Sequence, residues 1–468
     1  MDFSSANIQL WSFLLQFGAL AGILLLANFL RRKLPFVKKT LIPTAVLAGF
    51  LLLALRLCGL NIVKIEILEM ITYHGIAMGF IALSLRVPET EERGIDRITA
   101  PKSGALIVSC YTIQGVIGLI IALALVYTVL PGFFRASGLL LPMGYGQGPG
   151  QANNIGTAYE KLGFIGGRSF GLSLAAAGYL SACTVGVVYL NVLWRKGRFI
   201  KTTVEEESGS VTVNTFQDID EIPVSESIDK FSIQTAMVLG VYLLSYFVIL
   251  GITSLTKNMG EGLSKTISTL LWGFNFMVGT LIAMLIRVIF KSLRKSKVMT
   301  RQYQNNYLLS RISGFAFDLM VIAGIALIDI GDIKGLWLPF ILMSVIGAAF
   351  TLVYLRWLCK KIYPGYYYEG MLSMYGMMTG TISSGVLLLR EIDPLFKTPA
   401  ANNLVAGSGM AVLFGAPMLA LIGIAPLSSS SVWLVLGLLV VYSVLLILFM
   451  LKVKGKARRR QSGNNRTA

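Results

Sequence analysis

The sequence predicts an all-α integral membrane protein: about eleven transmembrane helices in two inverted five-helix repeats, each with a Gly-rich re-entrant segment. Three observations carry that expectation. Hydrophobic residues fill 55% of the 468 positions and charged ones only 14%, more apolar surface than a soluble domain of this length can hide in a core. Apolar runs such as 10–30, 41–60 and 432–451 are about 20 residues long, the length a helix needs to cross hydrocarbon. Finally, Tyr145-Gly146 followed by Gly150 recurs as Tyr375-Gly376 followed by Gly380, and each copy interrupts a long apolar stretch with Gly, Pro, Ser, Thr or Asn.

Taken in order, the expected spans are 10–30, 41–60, 67–87, 104–130, 168–194, 231–255, 266–290, 312–331, 335–358, 402–425 and 431–452. No small-residue cleavage pattern follows the first run, so it reads as a retained helix. The net charge of +18 sits in short tracts at span ends: Arg31-Arg32-Lys33, Arg195-Lys196, Arg294-Lys295, Lys360-Lys361 and Arg458-Arg459-Arg460. That placement is the positive-inside pattern, which orients the chain and meets anionic lipid; it is not a nucleic-acid surface. With the N-terminus outside and the C-terminus cytoplasmic, nearly every basic cluster lies inside a cell (plasma) membrane. The stretch 195–230 turns from basic to acidic and has too few apolar residues for a core, so it reads as a cytoplasmic linker. It divides a first repeat (1–194) from a second (231–425), and 426–468 adds one span and a basic tail.

Each repeat contributes an odd number of spans, so the second enters the membrane from the opposite side, and the repeats are inverted. Ile81-Ala82-Leu83 in the third span answers to Ile325-Ala326-Leu327 in the eighth. The broken segments, 136–162 and 367–391, then dip in from opposite faces. Glycine-interrupted hydrophobic segments at matching places in two halves are the strongest sequence pointer to a transporter's binding site. A lone Gly-x-x-x-Gly would read as a helix-packing face; two copies inside polar interruptions read as a site.

The chemistry follows from the residue types. Five glycines and two prolines within 141–157 oppose a continuous helix, and unwound backbone at membrane depth is tolerated only around a cavity. The carbonyls near Gly146, Gly150, Gly376 and Gly380 suit sodium, and amides at a half-helix start suit a carboxylate. Around them Gln147, Gly148, Gln151, Asn153, Asn154 and Thr157 in the first segment, and Thr379, Thr381, Ser383 and Ser384 in the second, supply neutral donors and acceptors for a substrate. Charged residues at membrane depth are functional candidates by default: Arg168 and Arg390 as partners of an anion, Asp318 as a cation or proton site or, equally, a helix-end residue bonded to a neighbouring amide. His74, the only histidine, reads as hydrogen-bonded core, with proton coupling the alternative. Cys58, Cys110, Cys183 and Cys359 lack paired or metal-ligand spacing and read as packing residues. No phosphate-loop motif, no His-Glu-x-x-His and no workable Ser/His/Asp set is present, so neither direct ATP use nor hydrolysis is expected.

These motifs resemble those of the bacterial sodium:glutamate symporters. The turn from Arg31-Arg32-Lys33-Leu34 to Thr40-Leu41-Ile42-Pro43 is similar to that family's first cytoplasmic turn. Gly144-Tyr145-Gly146-Gln147-Gly148-Pro149-Gly150-Gln151-Ala152 is similar to its first Gly-rich signature, and Thr157 to Phe164 continues the likeness. Gly376 to Gly385 occupies the place of the second signature. Two departures stand out: a tyrosine or glutamine takes the place of the histidine in a Gly-Gly-His-Gly-type core, and Met377 and Met378 replace an Ala-Thr-Pro-type sequence. The resemblance covers roughly residues 10–425 and implies a homodimer importing L-glutamate with sodium by alternating access, with no cofactor beyond the coupling ion. Sodium- or proton-coupled transport of a dicarboxylate or hydroxycarboxylate, a passive channel and, last, a membrane enzyme remain alternatives.

Overall fold

The computed structural model describes residues 4, 7–35, 37, 42–87, 98–196, 230–256, 264, 268, 271–273, 275–393 and 398–453. Most of the expected 195–230 linker and the tail beyond 453, with Arg458-Arg459-Arg460, lie outside the described residues. So does the side chain of Ser383.

Among the described residues every regular element is helical. The first half contains α1 (Ile8–Lys33), α2 (Thr44–Leu57), α3 (Ile65–Leu85) and α4 (Thr99–Thr128). A 3-10 turn (Arg135–Leu139) leads into the short α5 (Leu140–Tyr145), followed by α6 (Pro149–Glu160) and α7 (Gly167–Arg195). The second half contains α8 (Lys230–Thr256), α9 (Asn275–Lys295), α10 (Asn306–Ala326) and α11 (Trp337–Ile362). After these come the short α12 (Tyr367–Thr379) and α13 (Ile382–Arg390), then α14 (Ala400–Ile424) and α15 (Ser429–Lys452).

Among the described residues ten helices are long and apolar enough to cross a membrane, and the chain is a multi-pass, all-α membrane protein. The second expected span, 41–60, is a shorter helix of 14 residues, about 21 Å long at 1.5 Å per residue. Pro43 caps its start with no N–H to continue a helix backward. At its other end Gly59, with φ +85°, turns the chain left-handed. Basic residues fill the last turns of α1, α7, α9, α11 and α15, where they meet both the helix dipole and lipid head groups.

The helices sort into two packed groups. In the first, α3 crosses α10, α2 packs on α10, α9 packs on α3, α1 lies on α2 and α8 on α9. In the second, α4 is the spine, touching α14, α15, α11 and α5, while α7 carries α5, α6 and α12. The groups meet where α6 and α7 lie against α3 and α10. With no hydrophobic force between helices in lipid, contact depends on close packing and polar bridges, and α4 supplies a row of the latter. Gln114 donates from Nε2 to the Thr351 hydroxyl and the Met378 carbonyl, both at 3.0 Å. Tyr354 donates to Ser109 (2.8 Å), and Ser443 to Thr112 (2.7 Å). These bonds tie α11, α12 and α15 to one helix, holding the second group as a unit.

Candidate functional site

Two interruptions define the site. The first falls between α5 and α6, at Gly146 to Gly148. Gly148 has φ +85° and caps α6, a conformation a side chain makes costly; Pro149 then occupies the first helical position, where a missing N–H does no harm. The second falls at Gly380 and Thr381, between α12 and α13. The two breaks touch. A Cβ on Gly148 would lie 3.7 Å from Thr381 Cγ2 and 3.9 Å from the Gly380 carbonyl oxygen. Hence α6 and α13 start from one place and run apart, and neither start has a side-chain cap. Unsatisfied first-turn N–H groups and two positive dipole ends converge there.

A cavity of about 130 Å³ opens beside the breaks. One wall is Gly146, Gln147, Gly380 and Thr381 with Tyr179 and Ser408, from the second helix group. The facing wall, from the first group, is α2, α3, α9 and α10, mainly apolar: Val46, Ile76, Phe80, Phe276 and Phe317. Asp318 is the one charged residue among the lining residues. It stands near the middle of α10 and is half-buried. No hydrogen bond or ion pair joins it to another described residue. A carboxylate so placed is poised for a cation brought from outside the protein.

The other predicted residues divide by location. Gln151 is fully buried, with neither amide atom partnered. Gly150 packs on Ile76 and the Met320 sulfur. Asn153, Asn154, Thr157 and Arg168 line a second cavity of about 530 Å³, which shares no residue with the first. Thr379 faces away from the chamber, its hydroxyl donating to the Tyr375 carbonyl at 2.8 Å. Gly376 and Ser384 serve the close approach of α12 and α13, since a Cβ on Gly376 would sit 2.8 Å from the Ser384 carbonyl oxygen. Ser384 Oγ is buried against Gly380 without a hydrogen-bond partner. Arg390 ends α13 and is exposed, away from both cavities.

Sequence reasoning missed Tyr179, Ser408, Thr280 and the aromatic wall of the chamber, and Glu69, Tyr73 and Trp272 in the second cavity. Each is one residue in an apolar helical stretch, so no local pattern marks it. His74 is hydrogen-bonded as expected but exposed rather than core, and it borders the second cavity: its Nδ1 lies 2.6 Å from the Tyr242 hydroxyl, which accepts a 3.0 Å bond from Asn275 Nδ2. The chain matches no protein-family model and no curated protein.

Proposed function

We propose that this protein is a secondary transporter that imports a small amino-acid carboxylate, L-glutamate, together with sodium. The observation that carries this reading is the meeting of both helix breaks and Asp318 around one chamber between two helix groups. Each helix start is equivalent to about half a positive charge, so two of them and one carboxylate leave the chamber close to neutral. Glutamate brings a net negative charge, and its ammonium group suits Asp318 while a carboxylate suits the helix starts. A sodium ion on exposed carbonyls or on Asp318 restores neutrality. In a low-dielectric cavity that balance is a physical reason for coupled transport.

Reciprocal packing supports the inverted-repeat part of the reading. The contact of α2 with α10 is answered by α9 with α3, that of α1 with α2 by α8 with α9, and α3 crosses its own counterpart, α10. In this arrangement α5–α6 and α12–α13 are the re-entrant pairs, and α1, α7, α9, α11 and α15 end in the cytoplasm, whereas α2, whose last turn holds Arg56, ends outside. A dicarboxylate or hydroxycarboxylate has no ammonium to offer Asp318, so an amino acid fits better. The homodimer rests on the family resemblance alone.

Uptake decides the matter. Purified protein in liposomes is expected to accumulate labelled L-glutamate under an inward sodium gradient and not under an equal potassium gradient, with unlabelled glutamate competing. Silence from a monodisperse sample would reject glutamate and turn the search to other organic anions. Current without saturable counterflow would favour a channel.

A further inference from the structure

The second cavity lies at the end of the bundle opposite the basic helix termini. It is built from the start of α3 (Glu69, Tyr73), the later turns of α6 (Asn153, Asn154) and the start of α7 (Arg168), with Trp272 closing one side. α7 runs from Arg168 here to the basic turn at Arg195, so by the loop charges this end faces the exterior. Between this cavity and the chamber, Gly150 is pressed against Ile76 and Met320. The outer cavity is therefore a compartment of its own.

Its polar groups are incompletely satisfied. Arg168 forms an ion pair with Glu69 through Nη1, while its Nε is buried with no partner. Asn153 is only 6% exposed, yet its Oδ1 has no partner and its amide nitrogen makes only a 3.5 Å contact with Asn154 Oδ1. Asn153 thus lines the cavity with an amide that no strong hydrogen bond fixes. Lys161 adds a second cation to the wall. Glu160 is spent on the start of α7, accepting from the Arg168 backbone N–H at 3.0 Å. A guanidinium held by one carboxylate with its Nε unpartnered, an orphan amide and an ammonium group together suit a carboxylate, because Arg binds carboxylates through N–H donors once a competing partner is displaced.

We propose that this outer cavity is a second binding site, one that takes the carboxylate of a small organic acid on Arg168 before the acid reaches the chamber. For glutamate as the ligand, this rests on the transport reading above; the receptor itself does not. Glu69 and an arriving carboxylate compete for the same guanidinium. As Glu69 belongs to the first helix group and Arg168 to the second, occupancy also loosens an ionic tie between the groups.

Trp272 gives a readout independent of transport. Full-length protein in nanodiscs is titrated with L-glutamate and, separately, with acetate at constant sodium chloride, following tryptophan fluorescence. A saturable change is expected in the wild type and should vanish in Trp272→Phe. Arg168→Gln should weaken the apparent affinity by at least about tenfold, whereas Glu69→Gln, which removes the competitor, should strengthen it several-fold. A gain in affinity cannot come from misfolding. Unchanged affinity in both variants, or weaker binding in Glu69→Gln, would overturn the site even if glutamate uptake is intact. An Arg168-dependent response to acetate would sustain it even if glutamate uptake fails.

Discussion

Replacing Asp318 with asparagine is expected to lower sodium-driven uptake about a thousand-fold while leaving the protein folded. The size follows from Coulomb's law: a unit charge about 4 Å from a carboxylate gains about 4 kcal/mol at an effective dielectric near 20, and about 1.4 kcal/mol is a factor of ten. Asparagine keeps the shape and loses the charge. Folding is spared because Asp318 has no ion pair to lose among the described residues, and removing an uncompensated charge from an apolar wall is itself favourable. Asp318→Glu, which keeps the charge but moves it by one methylene, should fall between the two. Initial rates over a range of sodium concentrations, with a melting curve for each variant, make the check. If Asp318→Asn transports at the wild-type rate with the same sodium dependence, the carboxylate has no part in cation or ammonium binding, and the charge balance proposed for the chamber is wrong.

Much of the architecture was legible because membrane solvation writes itself into composition. Every apolar run had to become a helix, since no other open backbone satisfies itself in hydrocarbon, and the glycine and proline clusters had to interrupt it. The breaks appear where the repeated phrase placed them, one residue or so from Gly146 and at Gly380. The short α2 was harder to foresee, because Leu41 to Leu60 is apolar apart from Thr44 and Arg56, and the turn chemistry at Pro43 and Gly59 trims it.

Side-chain direction was the part the sequence concealed. Once Gly148 starts a new helix, a 3.6-residue period decides which cavity each residue sees. Gln147, in the break itself, lines the chamber, whereas Asn153, Asn154 and Thr157, further along α6, line the outer cavity. Thr379 is drawn inward because a helical threonine can satisfy its hydroxyl on the carbonyl four residues back. The pairing of Glu69 with Arg168 joins residues 99 positions apart, and no local pattern carries such a distance. Asp318 was visible early for a simpler reason: a lone carboxylate in the middle of an apolar run stands out against its cost.

Gly178→Ala should reduce uptake by at least about tenfold, and Gly178→Val should abolish it, with a smaller loss of stability of about 1–3 kcal/mol for each overpacked contact. Gly178 lies on α7, where a Cβ would come within 2.2 Å of the Thr379 carbonyl oxygen and 3.0 Å of the Tyr145 ring. Neither neighbour is free to yield. Tyr145 is held by a 2.6 Å hydrogen bond from its hydroxyl to the Ser344 carbonyl, and Thr379 is the last residue of α12 before the break. The only relief is to push Gly380 and Thr381, and with them the start of α13, away from Gly148. Helix packing absorbs such a shift at modest cost, but a site assembled from two opposed helix starts does not, because a displacement of about 1 Å is enough to spoil oriented donors. The two readouts should therefore separate: melting temperature falls slightly from glycine to alanine to valine, while uptake falls steeply. Should Gly178→Ala keep wild-type uptake, contact between the two breaks is not what forms the site; a parallel fall of stability and uptake would mean that Gly178 serves packing alone.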